Sequence, residues 1–450
     1  MIQRWRAIER WIENDRSTSR ISPYPMLPLR KLLTKRRELV RMNGSFGDWQ
    51  AITIKFSGEV LPRARADAFK GAMFAAYPGD LVFSKIDARN GAVGLIPASI
   101  PKAVVTSEYP VFTPKADKLR ADYLHYLLRA EHFQADLKRK ASGTSGRKRV
   151  TPDGFLTLEV PVPALDEQDT LVTAYVDALA RAAALEEEAE AIERAGWRVF
   201  EAALGVASPS PLPDRSVFVA RFKEVERWSH DGILRAQTQK QESVIVGRGA
   251  LTPLGQLAKV SYGIQKSPAN RPGMHARPYL RVANVQRGVL DLREIKYINV
   301  PDADMPKLRL EVGDVLLCEG NSPDLVGRGA IWGGEIADCV HQNHVLRIRV
   351  DRNRLLPEYA LAVINSSYGQ AYFLSKAKRT TNLASINSKE VSGLLIPEIG
   401  VDRQQTLLID LNARTQAAKA KRDEAAALRQ SAWAVFEAAL FVLGGKKQLN

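Results

Sequence analysis

The chain repeats itself at half length, and this repeat limits its possible folds more than any other feature. The segment "WRVFEAAL" at 197–204 returns as "WAVFEAAL" at 433–440, which is 236 positions later. At that offset and without gaps, 18 of 55 positions are identical between 150–204 and 386–440. Shorter matches upstream, such as "GDLVF" with "GDVLL", extend the similarity. The sequence therefore predicts two tandem copies of one unit, not an array of short repeats.

Each copy ends in a segment that is predicted to form a long helix. The first, 166–203, is rich in Ala, Leu and Glu, and its prolines lie only before and after it. Asp166 is a candidate N-cap, because a carboxylate there can accept a free amide N–H of the first turn. The second segment, 402–441, repeats the design. The first helix also carries a 4-3 spacing of apolar and small residues that is typical of a coiled-coil seam: Leu171, Tyr175, Ala178, Ala182, Leu185, Ala189 and Ile192.

The two helices are predicted to pair antiparallel, which would give both copies an equivalent environment. The acidic run 186–190 would then face the basic run 419–422, and opposite charges help to set partner and orientation. The alternative is that both runs are solvated faces. The pairing places Trp197 near Asp402 and Trp433 near Asp166. Its apolar contacts would come from the repeated motif, namely Val199, Phe200 and Leu204 with Val435, Phe436 and Leu440.

The bodies of the two copies, about 20–165 and 245–400, are predicted to be mixed α/β. Short β-rich runs such as "LVFSKI", "AVGLIP", "DVLLCE" and "HVLRIRV" alternate with Gly, Pro and Asn turns. One short helix is expected in each body, near 120–138 and 357–374. The chain then divides into five segments: a first domain at 1–165, a helix at 166–204, a linker and start of the second copy at 205–244, a second domain at 245–401, and a helix at 402–441.

Composition favours an intracellular partner with negative charge. The formal net charge is +15, and the two helical ends carry −7 (166–203) and +1 (402–439), so the bodies carry about +21. Such a charge suits a polyanion, because Lys and Arg neutralise phosphates and release counterions. No apolar run is long enough to cross a membrane, and the charged N-terminus does not look like a secretory signal. We therefore expect a cytoplasmic protein, and its two cysteines suit a reducing compartment.

Two segments resemble the specificity subunit of type I restriction-modification systems. They are "SGTSGRKRVTPDGFLTLEVPVPALDEQ" at 142–168 and "TTNLASINSKEVSGLLIPEIGVDRQ" at 380–404, each following a "GD" strand. The family pattern is a Ser/Gly-rich loop, a strand ending in Ile/Val-Pro-x-Pro, and Glu-Gln at the start of a long helix. The first copy matches it well, whereas the second lacks the second proline and the Glu.

The resemblance implies an α+β fold. Two tandem mixed α/β target-recognition domains would be separated by two long helices that form an antiparallel coiled coil with a pseudo-two-fold axis. Each domain would read one half of a split, asymmetric site in double-stranded DNA. The helices would serve as a spacer and would dock two methyltransferase subunits, and nuclease-translocase subunits could join the complex.

The sequence lacks the motifs that catalysis by this chain would require. It contains no Asn/Asp-Pro-Pro-Tyr/Phe motif for an adenine methyltransferase and no G-x-x-x-x-G-K-[ST] phosphate loop. The segment "CVHQNH" at 339–344, with Cys318, is a weak metal candidate, because a strand would point Cys339 and His341 to one face and His344 to the other. We therefore expect a non-catalytic chain with no cofactor and no metal.

Basic side chains in Gly-, Ser- or Asn-containing loops are the candidate DNA contacts, because such loops can approach phosphates and base edges. The alternative is a solvated basic surface. The candidates in the first copy are Lys85, Arg89, Arg147, Lys148 and Arg149, and those in the second are Lys266, Arg277, Arg328, Lys376, Lys378 and Arg379.

Two other functions remain open at this stage. The chain could be the targeting chain of a two-subunit enzyme whose partner fuses nuclease and methyltransferase and cuts beside its site. It could also be a structural adaptor for another acidic partner. High salt would weaken binding in either case, but only a DNA reader should prefer particular sequences.

Overall fold

The computed structural model describes residues 20–41, 47–63, 72–141, 148–205, 250–321, 325–379 and 384–443. It divides into two compact units. Unit 1 comprises the chain up to Glu186 together with the residues from Arg422 onward, and unit 2 comprises Glu187–Lys421. The candidate residue Arg147 and the predicted linker from 206 onward lie outside the described residues.

Unit 1 is built on a four-stranded antiparallel sheet and a second, five-stranded sheet. Their strand orders are β3-β11-β8-β9 and β4-β7-β10-β5-β6, and β2 pairs with β12. The elements are β1 (Arg20–Ile21), β2 (Met26–Pro28), α1 (Leu29–Leu32), β3 (Leu33–Arg36), β4 (Leu39–Arg41), β5 (Gln50–Ile54), β6 (Val60–Pro62), β7 (Ala72–Ala76), β8 (Leu81–Phe83), β9 (Val93–Leu95), β10 (Ala103–Val105), β11 (Val111–Pro114), α2 (Ala121–Leu127), α3 (Glu131–Lys140), α4 (Pro152–Leu156), β12 (Glu159–Pro161) and the first half of α5 (Leu165–Leu204).

Unit 2 repeats the first sheet but not the second. Its four-stranded sheet has the order β14-β21-β17-β19, and two three-stranded sheets have the orders β16-β15-β20 and β18-β23-β22. The elements are β13 (Ala250–Pro253), α6 (Leu254–Leu257), β14 (Ala258–Ser261), β15 (Ala276–Leu280), β16 (Lys296–Asn299), α7 (Met305–Leu308), β17 (Val315–Cys318), β18 (Gly320–Asn321), β19 (Gly329–Ile331), β20 (Val340–His341), β21 (Val345–Val350), α8 (Pro357–Asn365), α9 (Ser367–Lys376), β22 (Lys378–Arg379), β23 (Ala384–Ser385), α10 (Ser388–Ser392), β24 (Leu395–Glu398) and α11 (Val401–Leu440). The last part of α11, from Arg422 onward, belongs to unit 1. There it is followed by β25 (Val442–Leu443), which pairs with β1.

Identical hydrogen bonds at matched positions show that the two units share one framework. The Tyr123 hydroxyl donates to the Pro161 carbonyl at 2.9 Å, and the Tyr359 hydroxyl donates to the Pro397 carbonyl at the same distance. All four residues obey the 236-residue offset. The strands predicted from the β-rich runs are also confirmed, because β8, β9, β17 and β21 lie within them.

A buried glutamine fixes the start of each long helix. The Gln168 side-chain oxygen accepts the Arg120 N–H at 2.9 Å, and its amide donates to the Lys118 and Pro163 carbonyls. Gln404 makes the equivalent three bonds in unit 2. Both glutamines have no exposed surface, so these bonds replace the water that the amides lose on burial.

The N-cap prediction for Asp166 is wrong. The helix α5 begins one residue earlier, at Leu165, so Asp166 lies in its first turn. The Glu167 carboxylate accepts the Ala164 N–H at 3.1 Å and thereby satisfies the backbone at the helix start. The prediction of one short helix per body is also wrong, because a break splits each into two, α2 with α3 and α8 with α9. In unit 2 the Ser366 hydroxyl accepts the Gly369 N–H at 3.2 Å and caps α9 after that break.

The halves of α5 and α11 that belong to one unit pack antiparallel. In unit 1, Tyr175 contacts Phe436 with ring centroids 5.4 Å apart, while Glu186 binds Arg429, which lies earlier in α11. In unit 2, Lys421 binds Glu188 at 2.9 Å, so acidic and basic runs do meet as the sequence predicts. The predicted seam is confirmed: Ala178, Ala182 and Ala189 are buried, and Leu171, Tyr175, Leu185 and Ile192 are half-buried.

The repeated "VFEAAL" motif ends each long helix in the core of a body from the other copy. Phe436 lies 6.2 Å from Tyr123 between ring centroids, and Phe200 lies 6.1 Å from Tyr359. The Glu201 carboxylate in addition accepts the Ser367 N–H at 2.6 Å, at the start of α9. The motif therefore occurs twice because each of two equivalent cores contains one copy of it.

One part of that prediction is wrong. Phe200, Leu204, Phe436 and Leu440 are buried, but Val199 and Val435 are 46% and 66% exposed. Adjacent helical residues point about 100° apart, so a valine next to a buried phenylalanine points away from the seam.

The described residues include no helix with the length and apolar character that a membrane span requires.

Candidate nucleic-acid interface

Unit 1 gathers basic side chains around an open cavity of about 280 Å³. Lys35 reaches it from β3, the edge strand of the four-stranded sheet, and Arg37 from the residue after that strand. Lys85 reaches it from the segment that follows β8. The segment with Lys148 and Arg149 lies alongside, because the Val150 N–H donates to the Lys85 carbonyl at 2.8 Å. We call Lys35, Arg37, Lys85, Lys148 and Arg149 the basic groove.

One carboxylate partly neutralises the basic groove. Glu108 accepts a hydrogen bond from Arg149 Nε at 3.1 Å and lies 3.7 Å from Lys85 Nζ. The Arg149 side chain is nevertheless 45% exposed, and Lys35, Arg37 and Lys148 are exposed. Exposed cations beside one carboxylate can exchange it for a DNA phosphate, which is likewise a singly charged oxygen acceptor.

Lys35 and Arg37, which line the same cavity as Lys85, were not among the candidates predicted from the sequence. The signal available there was the basic run "KRR" at 35–37, which begins on β3 and not in a Gly-rich loop. The central residue of the run, Arg36, also lines the cavity, but its guanidinium is engaged by a buried carboxylate. Arg36 binds Asp80, which is 2% exposed, and its guanidinium lies 4.9 Å from the centre of the Tyr77 ring. That ion pair raises the pKa of Arg36.

Arg89 lies at a second cavity of unit 1 and not in the basic groove. That cavity is also lined by Phe56, Asn90 and Lys138. Lys138 belongs to the basic run at the end of α3. The structure thus distributes the candidates of unit 1 over two surfaces.

The candidates of unit 2 differ in their exposure to solvent. Lys266, Lys376 and Lys378 are exposed. Arg277 is held by Asp302 at 2.7 Å and by Asp338 at 3.3 Å. Arg328 is only 6% exposed and donates to the Val282 carbonyl at 3.2 Å.

A buried guanidinium cannot contact DNA in this conformation, so the Arg328 side chain is part of the protein interior and not of the DNA-binding surface. The backbone of Arg379 pairs with Ala384 in β22 and β23, while its side chain lies outside the described residues. The Tyr262 hydroxyl accepts the Ser388 N–H at 3.0 Å, at the start of α10.

The Cys/His segment of unit 2 is part of the core. Cys318 and Cys339 are buried, and burial raises the pKa of the Cys339 thiol to about 12. His341 has no exposed surface, and its Nδ1–H donates to the Val345 carbonyl at 2.7 Å. His344 pairs with Glu319 instead. Over the described ranges, no three His, Cys, Asp or Glu residues are placed to hold a metal ion.

Burial of His341 predicts that unit 2 loses stability in acid. Burial lowers the pKa of His341 from 6.5 to about 4, and the nearby Arg347 contributes to the decrease. The unfolded chain therefore takes up a proton on this group before the folded chain does, and stability should fall as the pH decreases from about 6.5 to about 4. Hydrogen exchange of the β20 and β21 amides should accelerate from pH 7 to pH 5, after correction for the intrinsic rate.

Two variants assign that pH dependence. His341→Gln, which keeps a donor for Val345, should reduce it, whereas His344→Gln should leave it unchanged because His344 is exposed. Equal protection at both pH values in the wild type would contradict the prediction.

Comparisons with known proteins agree with this architecture. A family model described as the type I restriction modification DNA specificity domain matches residues 65–194. The chain is 28% identical over 131 residues to a protein named as the type I restriction enzyme MjaX specificity subunit of Methanocaldococcus jannaschii, which covers 29% of this chain and 31% of that protein. It is 24% identical over 257 residues to the type I restriction enzyme EcoKI specificity subunit of Escherichia coli K12. This match covers 56% of this chain and 49% of that protein.

The matched segments thus span 31% and 49% of the lengths of these two curated relatives. A solved chain from a study of complex assembly and conformational transition in the type I restriction-modification system shares the fold. Its TM-score is 0.55 at 15% identity, with 93% of this chain and 98% of that chain covered.

Proposed function

Because the chain belongs to the family of type I restriction-modification specificity subunits, we propose that it is the DNA-recognition subunit of such a complex. The bodies at 1–165 and 245–401 each read one part of a bipartite, asymmetric site. The chain itself carries out no catalytic step. It docks two methyltransferase subunits, and nuclease-translocase subunits join them.

The observation that carries this proposal is a shared framework with different surfaces. The Gln168 and Gln404 bonds and the four-stranded sheets match between the units. The two-stranded sheets β2-β12 and β13-β24 also match, but the other strands differ, since unit 1 has one five-stranded sheet where unit 2 has two three-stranded sheets. A duplicated framework with divergent outer strands suits two readers of different sequences, because specificity depends on the side chains that reach the grooves.

Reconstitution tests the proposal. The purified chain should bind duplex DNA weakly and transfer no methyl group from S-adenosylmethionine. Addition of its methyltransferase subunit should give methylation at one bipartite sequence. Methyl transfer by the chain alone would overturn the non-catalytic assignment, and methylation without sequence preference would overturn the recognition role.

A further inference from the structure

The hairpin between β5 and β6 presents a large apolar side chain to solvent. Ile54 pairs with Val60, which leaves a five-residue tip at 55–59. Phe56 lies in this tip and is 62% exposed, the largest exposed fraction of any phenylalanine among the described residues. A phenylalanine at that exposure contributes little to the core of unit 1, and its ring is open to a ligand.

The tip is held rigidly against its neighbours. The Gly58 N–H donates to the Lys55 carbonyl at 2.8 Å, and the Lys55 N–H donates to the Glu59 carbonyl at 2.9 Å. Gly58 has a φ of 79°, and a Cβ there would collide with the Arg129 guanidinium. Gly91 has a φ of 99°, and a Cβ there would collide with the Phe56 carbonyl oxygen. Both glycines are therefore required for the tip to pack against its neighbours. This packing determines the position of Phe56.

The groups around Phe56 are those of a DNA-binding surface. Phe56 shares its cavity with Arg89, Asn90 and Lys138. Lys138 and Asn90 are exposed, and neither Arg89 nor Lys138 forms an ion pair with another described residue. The two cations can contact phosphates, and an asparagine can bond to a base edge. An apolar ring among these groups has a chemical match in the face of a nucleobase.

We propose that Phe56 is a wedge that enters a base-pair step of the half-site read by unit 1. Arg89 and Lys138 hold the flanking phosphates while the ring stacks on the exposed base face. Apolar side chains that enter a step unstack it and bend the duplex. The cost of that distortion depends on the step, so Phe56 would favour flexible pyrimidine–purine steps without a hydrogen bond to a base. This inference rests on the proposed function.

The test uses the full chain with its methyltransferase subunit and a duplex that carries its methylation site. Adenines of the site are replaced one at a time by 2-aminopurine, whose fluorescence rises when it unstacks. Apart from the adenines that the methyltransferase flips out of the stack, the wild type should raise the fluorescence at one step in one half-site. Phe56→Ala should remove that rise and weaken specific binding about tenfold, within the range for loss of an aromatic stacked on a base. Phe56→Leu should retain part of both effects, because leucine also serves as a wedge.

Ile21→Ala is the matched control, because Ile21 is 60% exposed on unit 1 and is not among the residues that line the Phe56 cavity. It should behave as the wild type does, and all variants should unfold at the same temperature. Phe56→Ala with wild-type fluorescence and affinity would overturn the inference, as would weaker binding when the wild type unstacks no base. A wild type that binds no specific DNA would overturn the proposed function instead.

Discussion

Replacement of Phe436 by alanine should lower the free energy of unfolding of unit 1 by about 3–5 kcal/mol, the usual cost of a buried phenylalanine. Phe436 is 2% exposed and packs on Tyr123, Tyr175 and Trp433. Its removal leaves a cavity where α11 meets the body of the first copy. Denaturant unfolding followed by tryptophan fluorescence measures the change, since Trp433 stacks on Phe436 at 5.8 Å.

The neighbouring residue provides the control. Val435 is 66% exposed, so Val435→Ala should change the free energy of unfolding by no more than about 0.5 kcal/mol. Phe200→Ala and Val199→Ala should show the same contrast in unit 2, because Phe200 is 2% exposed and Val199 is 46% exposed. Equal losses from the phenylalanine and valine variants would contradict the role assigned to the repeated motif.

Replacement of both Lys35 and Arg37 by alanine should weaken DNA binding about 10- to 100-fold at low salt. Each lost phosphate contact reduces the slope of log K against log salt by about 0.9, so the double variant should flatten it by about two. Lys419→Ala is the control, because Lys419 is an exposed lysine on α11 outside the basic groove. Fluorescence anisotropy over a salt series gives both quantities. A weaker affinity with an unchanged slope would mean that these side chains make no phosphate contact.

The opposite changes in DNA affinity and in the salt slope are expected when the carboxylate beside the basic groove is removed. Glu108→Gln releases Lys85 and Arg149 from their carboxylate, so DNA binding should strengthen about threefold and the salt slope should steepen. Glu159→Gln removes the same charge from an exposed position on β12 and should have little effect. Weaker binding by Glu108→Gln would show that Glu108 positions the two cations productively.

The helices and the repeat were predictable because their signals are local. A 4-3 spacing gives one buried stripe, which is why the seam from Leu171 to Ile192 was identified correctly. Val199 and Val435 were misplaced because apolar character alone does not decide which side of a helix a residue occupies. The Gln168 and Gln404 bonds could not be read from the sequence either, since their partners lie up to 50 residues away.

The candidate site was less predictable than the fold, because the presence of an arginine or lysine in the sequence does not reveal which group of the folded protein its side chain binds. Arg277 is taken up by Asp302 and Asp338, the second of which is 61 residues away, and Arg328 turns inward to a backbone carbonyl. Conversely, Lys35 and Arg37 meet Lys85 only because β11 brings β3 and β8 into one sheet. Such pairings depend on strand order, which loop composition does not encode.

Sequencing of methylated DNA from cells that carry the chain and its methyltransferase subunit tests the central claim most directly. The wild type should methylate one asymmetric sequence of two parts separated by an unread spacer. Exchange of loops within 80–150 for those of a related chain should change one part only, and exchange within 260–382 should change only the other. If either exchange altered both parts, or if the methylated sequence were continuous, two separate readers could not account for recognition by this protein.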